Sequence, residues 1–86
     1  MMFELGKIFA TQAVYEILSR ELISLLLIRY LSGDWGDLCE ADKQANENAL
    51  KNQQRILASY TIEDEKIYIV TEADRSKTTL LFAYEY

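Results

Sequence analysis

The sequence predicts an α+β domain, with N-terminal helices packed on one face of a mainly three-stranded antiparallel meander and an extra N-terminal strand as an option. Two patterns predict it. Apolar residues between Thr11 and Leu31 recur at three- and four-residue steps, the period of a helix face. The last third instead alternates with period two in the runs Arg55 to Ile62, Lys66 to Ala73 and Thr78 to Tyr84. With 86 residues, 50% of them apolar, the chain can build one core, and residues 1–86 read as a single domain.

The elements follow in order. Met2 to Ala10 carries Phe3, Leu5, Ile8 and Phe9 around Gly6 and reads as a short strand or extended arm. Thr11 offers a hydroxyl as N-cap to a helical run whose face is Val14, Ile17, Leu18, Leu22, Leu25 and Leu26, with Glu16 and Arg20 as an i,i+4 pair. A break near Ser19 to Glu21 fits the same pattern, so one helix or two satisfies it. Ile23, Leu27, Ile28 and Leu31 widen the apolar face until it needs cover on more than one side, from the domain or from another copy of the chain. Leu22 to Ile28 is far too short to span a bilayer, which takes about 20 residues, so no membrane role is expected.

Gly33 stands where a left-handed residue would end this helix. Asp37, with Glu40 three residues on, resembles a capping pair for a helix over residues 38–52, whose seam would be Leu38, Ala41, Ala45 and Ala49. Lys43, Glu47 and Lys51 then form a solvated ladder. In the meander, a two-residue first tip and a four-residue second tip place Ile56, Ala58, Tyr60, Ile62, Ile67, Ile69, Leu80, Phe82 and Tyr84 on the core face. The reverse face carries Leu57, Tyr68, Val70, Leu81 and Ala83, more apolar than solvent exposure needs, and suits a partner.

The residue types exclude more chemistry than they permit. The chain has no histidine, so the commonest general base and zinc ligand is missing, and its three glycines build no phosphate loop. The lone Cys39 has no basic neighbour in sequence and reads as a small buried apolar residue. The spacing of Asp34, Asp37, Glu40 and Asp42 does not match a calcium loop. No enzyme activity, cofactor or metal is expected. A net charge of −5 works against nucleic acid as a direct ligand and favours a protein with a basic surface. One cysteine makes no internal disulfide and the N-terminus lacks the order of a secretory signal, so the expected location is cytoplasmic.

The residues singled out for partner binding are Asp34, Trp35, Asp37, Glu40 and Asp42, the tip Glu63, Asp64 and Glu65, and Tyr68 and Arg75. Trp35, between glycines, is either a plug over the core or an interface anchor. Arg75 is placed to bond a carboxylate of the Asp34 to Asp37 loop and tie two loops together.

Ser-Gly-Asp-Trp-Gly-Asp-Leu at 32–38, Asn-Glu-Asn-Ala-Leu at 46–50, Arg-Ile-Leu-Ala-Ser-Tyr at 55–60 and Thr-Glu-Ala-Asp-Arg-Ser-Lys-Thr-Thr at 71–79 together resemble a pattern. It is that of a family of small bacterial proteins of plasmids and other mobile elements, some labelled plasmid-related or restriction-system subunits. The resemblance spans roughly residues 26–86, departing at Tyr30, where the family carries histidine, and at Glu63-Asp64-Glu65, where it carries a glycine-containing tip. It implies an origin on mobile DNA. A small acidic chain without catalytic groups is similar in kind to anti-CRISPR and anti-restriction inhibitors, which occupy the basic surface of a nucleic-acid-binding defence complex. The alternative is an accessory module for plasmid maintenance or regulation that works as a homodimer or larger homo-oligomer.

Overall fold

The structure, a computed structural model, describes residues 3–86. Its elements are β1 (Lys7–Ala10), α1 (Gln12–Ile17), α2 (Arg20–Leu31), α3 (Glu40–Asn52), β2 (Ile56–Ile62), β3 (Glu65–Thr71) and β4 (Lys77–Phe82), closed by a 3-10 turn at Ala83–Glu85. One sheet holds all four strands in the order β1-β4-β3-β2. The antiparallel meander is β2-β3-β4. The N-terminal run does form a further strand, but it lies parallel to β4, with Lys7 beside Lys77 and Ala10 beside Leu80, so the sheet is mixed. Parallel neighbours need a long connection, and the three helices lie within it. The expected strand began at Met2, which lies outside the described residues; within them it begins at Lys7.

The helical run after Thr11 is two helices. Thr11 Oγ1 accepts from the Val14 amide at 3.3 Å, and Ser19 Oγ repeats the device for α2 by accepting from Leu22 at 3.1 Å. Between them Leu18 turns extended (φ −92°, ψ 140°) and drops its side chain into the core. The break separates Glu16 from Arg20, and Glu16 accepts from Gln12 Nε2 instead, at 3.1 Å. On α2, Leu26 and Tyr30 are buried, while Leu25 and Ile28 remain exposed.

Two expectations for α3 are corrected. It starts at Glu40, not Leu38, and its N-cap is Cys39, which makes no side-chain capping bond, because Asp37 is drawn to β2. Its inward residues are Asn46, Ala49 and half-buried Leu50, while Ala41 and Ala45 are exposed. The rotation has a cause in the sheet. β2 is an edge strand, and the Asn46 carboxamide satisfies its outward backbone, donating from Nδ2 to Leu57 O (2.8 Å) and accepting from Leu57 N (3.3 Å). A row of open amides at an edge favours a polar partner over an alanine seam.

The first hairpin turns on Glu63 and Asp64, both left-handed (φ 49° and 68°), with Ile62 opposite Glu65. The second turns over 73–76, one residue earlier than expected, and Thr71 faces Thr78. That shift changes the pairing by an even number of residues and leaves every side chain within the paired strands on its predicted face. Ile56, Ala58, Tyr60, Ile67, Ile69, Leu80 and Phe82 are buried under the helices. Tyr84 is the exception. β4 ends at Phe82, and Tyr84 stands exposed in the 3-10 turn with its ring stacked 5.3 Å from that of Phe82. On the reverse face Val70 is buried and Leu57, Tyr68 and Leu81 are half-buried, in part because Tyr86 folds back edge-on to Tyr68 at 5.5 Å.

Candidate functional site

The loop between α2 and α3 is built by its glycines and by one ion pair. Gly33 (φ 89°) ends α2, donating to Tyr30 O, and the next amide, Asp34, returns to Arg29 O at 3.0 Å. Asp34 Oδ2 then accepts from Arg29 Nε at 2.7 Å, and its Oδ1 accepts from the Gly36 amide at 3.1 Å. The Arg29 hydrogen bond holds the Asp34 carboxyl below the usual carboxylate range. The same guanidinium lies 4.8 Å over the Tyr60 ring, whose hydroxyl donates to Asp34 O at 2.7 Å. Burial raises the Tyr60 hydroxyl pKa well above that of free tyrosine.

Trp35 is the plug. Only 3% exposed, it meets Tyr30 edge to face at 5.7 Å and donates from Nε1 to Glu47 Oε2 at 2.8 Å. An anchor role would need its ring on the surface, where it is not. Glu47 is therefore no member of a solvated ladder: it receives the one polar atom that an indole must place somewhere when buried.

Gly36 comes so close to β2 that it forms a parallel bridge with Ser59, flanked by Ser59 N to Trp35 O at 3.3 Å and Asp37 N to Ser59 O at 2.8 Å. Two residues further along the same edge, Thr61 Oγ1 donates to Asp37 Oδ2 at 2.5 Å. Asn46 at Leu57, the loop at Ser59 and Asp37 at Thr61 thus cover successive outward positions of β2. The bond to Thr61 also draws the loop to within two residues of the tip Glu63, Asp64 and Glu65, all of them exposed. Glu40 and Asp42 project from the first turn of α3, with Lys43 Nζ 3.8 Å from a Glu40 side chain that is 94% exposed.

The remaining two candidates lie elsewhere. Tyr68 is on the reverse face of the sheet, against Tyr86. Arg75 sits at the second hairpin tip, at the opposite end of β3 from Glu63 to Glu65, and bonds no carboxylate of the loop. Its guanidinium donates to Gln54 O (2.7 Å), Ala49 O (3.1 Å), Glu72 O and Ala73 O. It closes the carbonyl end of α3, where a cation complements the helix dipole and the last orphan carbonyls.

Cys39 is exposed, against the expectation of a buried thiol, because the residue before Glu40 is the outer corner of the loop. Among the described residues no group of three or more Cys, Asp or Glu side chains is placed to hold a metal ion, and no helix is long and apolar enough to cross a membrane. The sequence pattern does not mark Arg29, Asn46, Glu47 or Thr61: the partners of the last three lie 11 or more residues along the chain, and the five-residue step from Arg29 to Asp34 crosses the end of α2 and matches no helix spacing. Comparison with protein-family models, with curated proteins and with solved structures finds no match to the chain.

Proposed function

We propose that this chain is a non-catalytic binding protein of a mobile genetic element that inhibits a bacterial defence nuclease complex, of the anti-CRISPR or anti-restriction kind, by occupying a basic surface. The observation that carries the reading is the Asp37 to Thr61 bond, which ties the acidic loop leading into α3 to β2 two residues before the acidic tip Glu63 to Glu65. Asp34 and Asp37, though exposed, are bonded to Arg29 and Thr61, so of the candidate carboxylates Glu40, Asp42, Glu63, Asp64 and Glu65 are the ones offered to a partner. The sequence resemblance to plasmid-borne proteins supplies the biological setting, and the net charge of −5 the sign of the partner.

The test is stoichiometric. Titrated into a purified RNA-guided or restriction nuclease complex from its host, the chain stops DNA binding at about one copy per site. Inhibition weakens with salt, because exposed charges are screened beyond about 8 to 10 Å at physiological ionic strength. The variant Glu40→Gln, Asp42→Asn, Glu63→Gln, Asp64→Asn, Glu65→Gln keeps the fold and loses inhibition. Equal inhibition by that variant overturns the acidic-edge mechanism, and undiminished DNA binding with the wild type overturns the reading itself. The second reading, a self-associating accessory module for plasmid maintenance, is favoured by one observation, the exposed apolar side chains of edge strand β1.

A further inference from the structure

β2 is covered along its outer edge, but β1 at the other margin of the sheet is not. Among the described residues its sole strand neighbour is β4. Lys7 N donates to Ser76 O and Thr11 N to Leu80 O, so by the alternation of a parallel ladder the odd-numbered residues face β4. The N–H and C=O groups of Ile8 and Ala10 therefore point outward. Ile8 is 51% and Phe9 49% exposed. Beside the strand a groove of about 420 Å³ is lined by Ile8 and Ala10 of β1 itself, by Tyr15, Leu18, Ile23 and Leu80, and by one cation, Arg20.

We propose that two copies of the chain join antiparallel through β1, making one continuous eight-stranded sheet from two four-stranded ones. A two-fold axis at Phe9 sets the register, and no other centre uses both outward residues equally. Ile8 of each copy then pairs with Ala10 of the other, giving four N–H to O=C bonds, and the two Phe9 rings face each other across the axis as a non-hydrogen-bonded pair. Ile8 and Ala10 lie on the helix side of the sheet, since Ala10 is level with the core residue Leu80. The Ile8 side chain of one copy thus enters the other's groove beside its small Ala10.

Charge fixes a second copy as the occupant. Lys7 marks one end of β1; at the other end Thr11 donates from Oγ1 to Glu85 Oε1 at 2.8 Å. Antiparallel pairing about Phe9 sets Lys7 opposite Thr11 of the partner copy, and so brings Lys7 to Glu85 twice, once on each side of the axis. The interface lies at the far margin of the sheet from the acidic β2 edge, so it does not depend on the proposed inhibition, and each acidic edge stays free.

Sedimentation equilibrium of the full chain reads the mass. The wild type is expected at twice its 10.0 kDa chain mass at high micromolar concentration. Phe9→Lys sets like charges across the axis on a side chain the fold leaves exposed, and should sediment as a folded monomer. Lys7→Glu and Glu85→Lys each weaken the dimer alone, and mixing the two variants restores it as a heterodimer. Hydrogen exchange distinguishes dissociation from unfolding: the Ile8 and Ala10 amides are protected only in the dimer, while Thr11 stays protected in Phe9→Lys. A monomeric wild type overturns the proposal. So does a dimer that survives Phe9→Lys, or one that is dissolved by Ile28→Lys on the exposed face of α2.

Discussion

Tyr30 Oη lies 2.7 Å from Thr71 Oγ1, and the bond is the first of a directed chain. Thr71 Oγ1 is 2.8 Å from Thr78 Oγ1, which donates to Leu5 O at 2.7 Å. Because the Thr78 proton is committed to Leu5, Thr71 must donate to Thr78, and Tyr30 to Thr71. The three side chains are fully buried, so the relay links α2, β3, β4 and the N-terminal arm through a polar thread in an apolar core.

Thr78→Val breaks the thread at its centre, leaving the Thr71 hydroxyl without an acceptor and Leu5 O without its donor. The expected loss is about 1 to 3 kcal/mol, and Tyr30→Phe, which strands no buried donor, should cost less. Combining them should cost less than the sum, since the same relay is already broken. Urea unfolding of the two single variants and the double variant measures all three values, and strict additivity would show that the hydroxyls act independently.

Gly36→Ala and Gly33→Ala separate two reasons for a glycine. Both residues have positive φ, but a Cβ on Gly33 meets nothing within 4 Å, whereas on Gly36 it would fall 1.8 Å from Ser59 O. Gly33→Ala should cost about 1 to 2 kcal/mol for left-handed backbone alone. Gly36→Ala must also push the loop off β2, breaking the Ser59 bridge and displacing Trp35, so its loss of stability is larger and accompanied by a change in tryptophan fluorescence. Equal losses without a fluorescence change would mean that the bridge does not position the indole.

Arg75 provides a test of geometry over charge. Its residue is left-handed (φ 62°), and its guanidinium reaches four carbonyls from two directions. Arg75→Lys keeps the cation at the end of α3 but not the planar fork. Thermal melts should place it near Arg75→Ala, with most of about 1.5 to 3 kcal/mol lost in both. Full stability in Arg75→Lys would reduce the interaction to the helix dipole.

How far this was readable in the sequence depends on the range of each signal. Period two in the last third specified the meander and its inward face, and survived a misplaced second tip because the register error was even. Thr11 and Ser19 mark their helices locally. The parallel placement of β1 is set by Leu5, Gly6 and Lys7 docking on Ser76 and Thr78, contacts some 70 residues away in the chain, which no local pattern encodes. Asn46 and Glu47 look like surface residues of a polar helix until the edge of β2 and the indole of Trp35 arrive. The acidic composition of the site was visible; the division between engaged Asp34 and Asp37 and outward Glu40, Asp42 and Glu63 to Glu65 was not, since it depends on Arg29 and Thr61.

Alkaline titration should unfold the protein through two tyrosines. Burial pushes the Tyr30 hydroxyl up to about 12 from an ordinary 10.0, and burial raises that of Tyr60 as well. A group whose pKa is raised on folding contributes stability that is complete below its unfolded value and is lost as pH climbs through the folded one. For Tyr30 the window therefore runs from about pH 10 to 12, and a shift of that size corresponds to roughly 2 to 3 kcal/mol. Tyr30 and Tyr60 should ionise late, together with loss of near-ultraviolet dichroism. In Tyr30→Phe the late step shrinks to one tyrosine. Ionisation of both phenols below pH 10 with the dichroism intact would contradict their burial.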